Sequence, residues 1–158
     1  LYVIVNSVDT LTSGAYFYSI KQKQLDLLKP GDFRDEAGHL GFEQALPADA
    51  SAVFFFMADL EKILNRYGGR GYRIVQMESG VLGGNLYLGM QSLGFGSTGL
   101  TFYDDEVTEF FSPHAKNKST LFVIPVGNKH SRNIVRPFRS KMATKLDALA
   151  RGAGHNLT

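Results

Sequence analysis

The chain has 158 residues with 17 Lys and Arg against 15 Asp and Glu, a net charge of +2. Hydrophobic residues make up 44% and charged residues 20%, which excludes a disordered or fibrous chain and fits one domain over 1–158. The absence of Cys excludes a disulfide scaffold, a thiolate zinc site, an iron–sulfur cluster and a Cys nucleophile. It fits a reducing compartment, and the expected location is cytoplasmic. The mild basic excess, concentrated late in Lys129, Arg132, Arg136, Arg139, Lys141 and Lys145, is too weak by itself to argue for nucleic acid. No apolar run reaches the roughly 18 residues of a membrane helix, so neither nucleic acid nor membrane is an expected partner. The chain begins inside an apolar run, Leu1-Tyr2-Val3-Ile4-Val5, without Met. The expectation is a domain truncated at its N-terminus, a piece of a longer protein.

In chain order, residues 1–8 read as a strand with Val3 and Val5 on one side. Thr12-Ser13-Gly14 is a turn, and Ala15 to Ile20 is the returning strand of a hairpin. Gln24 to Leu28 is a third strand, ending at Pro30-Gly31. Residues 32–46 suggest a helix of weak periodicity. Ser51 to Met57 is a continuous apolar run, expected as a strand buried on both faces. Asp59 to Tyr67 is a short amphipathic helix that Gly68-Gly69-Arg70-Gly71 breaks. Tyr72 to Leu93 is the longest helical stretch, and its internal Gly80, Gly83 and Gly84 each cost about 1 kcal/mol against Ala. Glycines in such a place often let a backbone or a flat ligand approach closely. A loop at Gly94–Gly99 leads into a short strand; Asp104 to Phe111 is a helix with an acidic first turn. Ser119 to Val126 is another apolar strand, and a terminal helix is expected near 140–150. Strands around one long helix indicate an α+β fold with the helix packed on a sheet.

The candidate chemistry is thin where metals and hydrolases are concerned. His39, His114, His130 and His155 form no i, i+4 pair, and there is no Gly-x-Ser-x-Gly elbow. Gly94-Phe95-Gly96-Ser97-Thr98-Gly99 fits G-x-G-x-x-G but follows a helix and precedes a strand, the wrong context for a dinucleotide site. It is either a plain turn or a run of backbone N–H groups approaching an acceptor-rich ligand. Arg66, Tyr67, Arg70, Tyr72 and Arg73 are either a solvated surface or a cation–π cluster in which a Tyr acts as a base. Arg132, Arg136, Arg139 and Lys141 are either a basic tail or a phosphate clamp.

Several segments then act together. Arg66-Tyr67-Gly68-Gly69-Arg70-Gly71-Tyr72-Arg73 runs into Met77-Glu78-Ser79-Gly80 and Gly84-Asn85-Leu86-Tyr87-Leu88. Leu93-Gly94-Phe95-Gly96-Ser97, Phe102 to Val107 and Leu121-Phe122-Val123-Ile124-Pro125-Val126-Gly127 follow. In this order and spacing they resemble the nitroreductase-like FMN oxidoreductases, most closely the SagB-type branch. That branch includes the thiazole/oxazole dehydrogenases, which oxidise azoline rings in ribosomally made peptides. The opening Leu1–Phe17 hairpin also resembles it, so the likeness covers nearly the whole chain.

The resemblance implies a nitroreductase-like α+β fold, a mostly antiparallel sheet packed by a long central helix. It also implies a homodimer with two FMN sites at the interface. Cofactor-binding residues on this likeness are Ser97, then Gly99, Leu100 and Thr101 facing the flavin N5 region, and Arg136 and Arg139 on the phosphate. The branch uses a Lys-Tyr pair as catalytic base where this chain has Arg66-Tyr67. Arg is no base near neutral pH, so the role passes to Tyr67, with Arg66 favouring its ionisation. The family's Arg-rich phosphate grip and Pro-Ser-Gly-Gly stretch would lie upstream of Leu1. The implied function is an FMN-dependent oxidoreductase acting on a peptide azoline, or on a small nitro compound or quinone with NAD(P)H as electron donor. The alternative is a non-catalytic, degenerate flavin-fold module that dimerises or docks a peptide.

Overall fold

The computed structural model describes residues 1–129. Six strands form one sheet in the order β3-β2-β1-β4-β6-β5, every neighbouring pair antiparallel. In chain order the strands are β1 (Tyr2–Val5), β2 (Gly14–Ser19), β3 (Gln24–Pro30), β4 (Ala52–Ala58), β5 (Phe95–Ser97) and β6 (Ser119–Asn128). The helices are α1 (Arg34–Leu40), α2 (Ala45–Asp49), α3 (Leu60–Tyr67), α4 (Arg70–Ser92) and α5 (Asp104–Phe110). The β1–β2 hairpin and the α+β architecture, an antiparallel sheet with a long helix, agree with the sequence reading. The expected terminal helix near 140–150 lies outside the described residues.

The period-two pattern sorts side chains between the two faces of the sheet. Tyr2 and Ile4 of β1, Val53 and Phe55 of β4 and Val123 of β6 point to one face. There they meet Ala37 and Leu40 of α1, Val107 of α5, and Phe111 and Ala115 just after it. This is the main core. Phe111 packs at centroid distances of 4.9 Å from Tyr2 and 5.2 Å from Phe55. On the other face, Phe54, Phe56, Ile124 and Val126 pack with Leu86, Tyr87 and Met90 of α4, while Val3 and Val5 cluster with Tyr16 and Ala52.

Two local readings are corrected. The first strand ends at Val5, and Val8 instead bridges Leu11. The helix expected over 32–46 is two helices, α1 and α2. Phe42 (φ 63°) and Glu43 (φ 57°) both sit in the left-handed region between them, which ends a helix whatever the propensity. The loop is held by backbone N–H groups of Phe42 and Glu43 donating to the His39 carbonyl and by Gln44 Nε2 donating to the Gly41 carbonyl. The long helix packs on one face of the sheet as expected, and α1 and α5 cover the opposite face.

The helix glycines divide in the same way. A Cβ on Gly83 would lie 2.4 Å from Phe122 Cε1, so this glycine lets α4 sit directly on β6. Gly71 admits Ile63 of α3, whose side chain would be 2.9 Å from a Cβ there. Among the described residues nothing lies within 4 Å of the corresponding points on Gly80 and Gly84. Only Gly71, Val75, Ser79 and Gly83 of the 23 residues of α4 are buried. Tyr72, Ile74, Met77, Val81, Leu82 and Leu88 leave an apolar face in solvent, Met77 65% and Leu88 73% exposed.

Candidate functional site

A cleft of about 960 Å³ opens where the last turns of α4 pass the edge of the sheet. Its walls are the end of α2 (Asp49 to Ser51), Tyr87, Leu88 and Gln91 of α4, Gly96 to Thr98 at β5, and Pro125 to Lys129 at the end of β6. The volume lies within the range of small-molecule and cofactor sites.

Each wall has a local cause. Asn6, buried after β1, donates from Nδ2 to the carbonyls of Pro47 (3.3 Å) and Ala50 (3.0 Å). The backbone N–H groups of Asn6 and Ser7 donate to the Ser51 carbonyl, so the α2 wall hangs on the sheet. The β5 wall is a three-residue edge strand, with Gly96 opposite Gly127 and Ser97 opposite Val126. Gly94 at φ 85° makes the turn from α4 into it. The G-x-G-x-x-G segment is therefore neither a dinucleotide loop nor a plain turn: its middle is a strand that walls the cleft. Among the described residues, a Cβ on Gly96 would meet Lys129 Cγ at 3.4 Å and the Gly127 carbonyl at 3.7 Å, while one on Gly127 would meet Ser51 N at 3.4 Å and Ala50 Cα at 3.6 Å, so Gly127 packs against the α2 wall.

Of the residues singled out from the sequence, Ser97 lines the cleft. Gly99, Leu100 and Thr101 continue from this wall. Gly99 is closely covered, since a Cβ there would lie 2.6 Å from Phe122 and 2.9 Å from the Tyr87 hydroxyl. The Leu100 N–H donates to the Val123 carbonyl at 3.1 Å, which fixes the segment to β6. Thr101 Oγ1 accepts from Gln44 Nε2 at 3.2 Å, joining it to the α1–α2 loop. Arg136 and Arg139 lie outside the described residues.

Arg66 and Tyr67 are elsewhere. They end α3, with the Arg66 guanidinium 5.1 Å from the centroid of the Tyr67 ring and Tyr67 44% exposed. The cleft lies at the far end of α4. At 1.5 Å per residue, Arg70 and Tyr87 are roughly 25 Å apart along the helix. One chain therefore assembles the Ser97–Thr101 region but does not bring Tyr67 to it.

The sequence reading missed Tyr87, Gln91 and Lys129. Burial pushes the Tyr87 phenol upward from its ordinary value, so it stays a neutral donor. Lys129 Nζ donates to Gln91 Oε1 at 2.7 Å. The available signal was the i, i+4 spacing of Tyr87 and Gln91, two hydrogen-bonding residues on one face in the last turns of α4.

Away from the cleft, two histidines bridge elements. His39 holds Glu43 on Nδ1 and Glu106 of α5 on Nε2, both at 2.5 Å, and these hydrogen bonds raise its pKa. The two carboxylates engage opposite ring nitrogens, and among the described residues no group of His, Asp and Glu is arranged to hold a metal ion. His114 lies against Tyr2, whose hydroxyl is 2.9 Å from His114 Nδ1 and accepts from Lys118 Nζ at 2.8 Å. Burial and the neighbouring Lys118 lower the His114 pKa, and burial pushes Tyr2 up to about 12. Among the described residues no helix is long and apolar enough to cross a membrane.

Known proteins share this arrangement. A protein of Methanocaldococcus jannaschii described as a nitroreductase is 31% identical over 130 residues, which are 82% of this chain and 64% of that protein. The chain thus spans less than two thirds of that relative's length. A crystal structure from Anabaena variabilis, also described as a nitroreductase, superposes with a TM-score of 0.77 at 32% identity, over 82% of this chain and 26% of the other. The Escherichia coli microcin synthetase complex McbBCD, solved with truncated pro-MccB17 bound, contains a chain of the same fold. It superposes with a TM-score of 0.69 at 18% identity, over 82% of this chain and 51% of that one. The model of the nitroreductase family matches residues 1–147, spanning the sheet, the long helix and every wall of the cleft. By that match, and by the fold that carries it, the chain belongs to the nitroreductase family.

Proposed function

We propose that the chain is part of an FMN-dependent oxidoreductase whose flavin site is the cleft at the end of α4. Members of the nitroreductase family typically bind FMN. The carrying observation is the cleft's construction: glycine backbone of the β5 edge strand at Gly96 on one side, the hydrogen-bonding side chains of Tyr87 and Gln91 on the other. Such a lining fits a flat, acceptor-rich ring better than a metal or a charged nucleophile. Ser97 to Thr101 would flank the ring, and Arg136 and Arg139 would hold the phosphate. When bound, FMN supplies hydride acceptance and donation; the protein orients it and surrounds it with donors.

On this reading Tyr67 takes or gives the proton that accompanies hydride transfer. Its place at the other end of α4 requires a second copy of the chain. The exposed apolar face along α4, from Tyr72 to Leu88, suits a two-fold helix pairing that carries Tyr67 of one protomer towards the cleft of the other. The expected species is a homodimer with two composite sites. The substrate is either an azoline ring in a ribosomally made peptide, the reading to which the microcin synthetase likeness in fold adds weight, or a nitro compound or quinone reduced with NAD(P)H.

The test is turnover by the FMN-loaded protein against both substrate classes. General acid–base groups contribute on the order of 10²–10⁴-fold, so Tyr67→Phe should lower azoline turnover at least about 10²-fold with flavin content unchanged. Unchanged turnover would remove Tyr67 from the reaction. A second reading is a non-catalytic module that dimerises or docks a peptide, favoured by the distance between Tyr67 and the cleft within one chain. A dimer that excludes flavin would establish it.

A further inference from the structure

The α4 wall of the cleft has a built-in direction. Tyr87 and Gln91 stand one turn apart and both line the cleft. Lys129 Nζ can only donate, so the Gln91 atom facing it at 2.7 Å is the amide oxygen. With its acceptor engaged, Gln91 has its Nε2 hydrogens left to offer. Among the described residues the Tyr87 hydroxyl makes no hydrogen bond, although its ring is fixed edge-on against Phe122 at a centroid distance of 6.3 Å. The acidic residue of the lining, Asp49, belongs to α2 instead. This wall therefore presents donors held in place by their own packing and by Lys129.

We propose that Tyr87 and Gln91 form the recognition edge of the cleft, donating to the acceptor edge of a planar heterocycle, with Lys129 setting the direction of the Gln91 amide. The inference rests on the flavin reading above and specifies it: the heterocycle is the isoalloxazine ring, recognised through its ring acceptors and not through the phosphate. The raised pKa of Tyr87 keeps this donor protonated through the neutral range. Gln91 is exposed and takes its direction from Lys129, whereas Tyr87 is fixed by its packing against Phe122.

The experiment is a titration of the full chain with FMN and, separately, with riboflavin, which carries the same ring without the phosphate. Tyr87→Phe keeps the ring packing against Phe122. Gln91→Glu keeps a partner for Lys129 and removes the donor. Each variant should weaken both flavins by the same factor, roughly three- to tenfold, and shift the absorption bands of the bound flavin, with the melting temperature unchanged. Wild-type affinity for both flavins in both variants would overturn the inference. A loss confined to FMN would also overturn it, by placing the pair on the phosphate. If the wild-type chain binds neither flavin, the flavin reading itself fails and this inference with it.

Discussion

The two faces of the sheet are built from the same strands yet end in opposite conditions. On the α1–α5 face, Tyr2, Ile4, Val53, Phe55, Phe111 and Val123 lie at or below about 1% exposure and interlock through aromatic contacts. On the α4 face, burial is confined to the contacts over β4, β6 and the adjoining strands, while the outer side of the helix leaves Met77, Val81 and Leu88 in water. The closed face accounts for the stability of the unit. The open face carries the cleft, the β5 glycine edge and the donors. The lesson is that an excess of exposed apolar surface next to a cleft marks where this fold expects to meet something else.

The largest expected effect tests the closed face. Phe111→Ala removes the ring shared by Tyr2, Phe55 and Phe110 and should cost about 3–5 kcal/mol by urea denaturation. Met77→Ala on the open face should change the stability of the isolated chain by less than about 0.5 kcal/mol while weakening self-association in sedimentation equilibrium. Equal losses from the two would erase the distinction between the faces.

Next comes a contrast within one helix. Gly83→Ala drives a methyl into the Phe122 ring and should destabilise by about 1–3 kcal/mol. Gly84→Ala, with open space around it, should stabilise the isolated chain by up to about 1 kcal/mol through helix propensity. If the dimer forms through this face, the sign at Gly84 reverses at high protein concentration. Thermal melts of both variants over a concentration series would show it.

The smallest effects are those of pH, and the two histidines oppose each other. His39 has a folded pKa raised above 6.5, so its contribution is complete below 6.5 and is lost as pH rises through the raised value. His114 has a folded pKa below 6.5, so the neutral form is favoured and stability falls as pH drops below 6.5 through that lower value. Melting temperature against pH should therefore fall more gently on the alkaline side in His39→Gln than in the wild type. A His39→Gln profile parallel to the wild type would show that the Glu43 and Glu106 contacts do not contribute.

Much of this was legible in the sequence, for physical reasons that also mark the limits. Alternation made β1 visible and a continuous apolar run made β4 visible; the glycine break separated α3 from α4, although Arg70 and Gly71, read as part of the break, already belong to α4. The α1–α2 loop was not legible, because Phe42 and Glu43 take left-handed backbone without glycine and are held there by hydrogen bonds to His39 and Gln44. The cleft was half legible: Gly94 to Gly99 stood out as a glycine-rich segment, and Leu100 and Thr101 were named through the family resemblance. Tyr87 and Gln91 were hidden inside a helical pattern, and Asp49 to Ser51 join them only through the Asn6 hydrogen bonds from the first strand. Tyr67 was named with the site, yet a single chain holds it roughly 25 Å away along α4. Only the fold reveals that separation.

The central claim is that the open face is a flavin site. Its most direct test is the visible absorption spectrum of the purified chain after incubation with FMN and removal of free cofactor by gel filtration, with the eluting mass measured in the same run. The account predicts a retained flavin spectrum in a dimeric peak. A colourless protein, monomeric or dimeric, would contradict it.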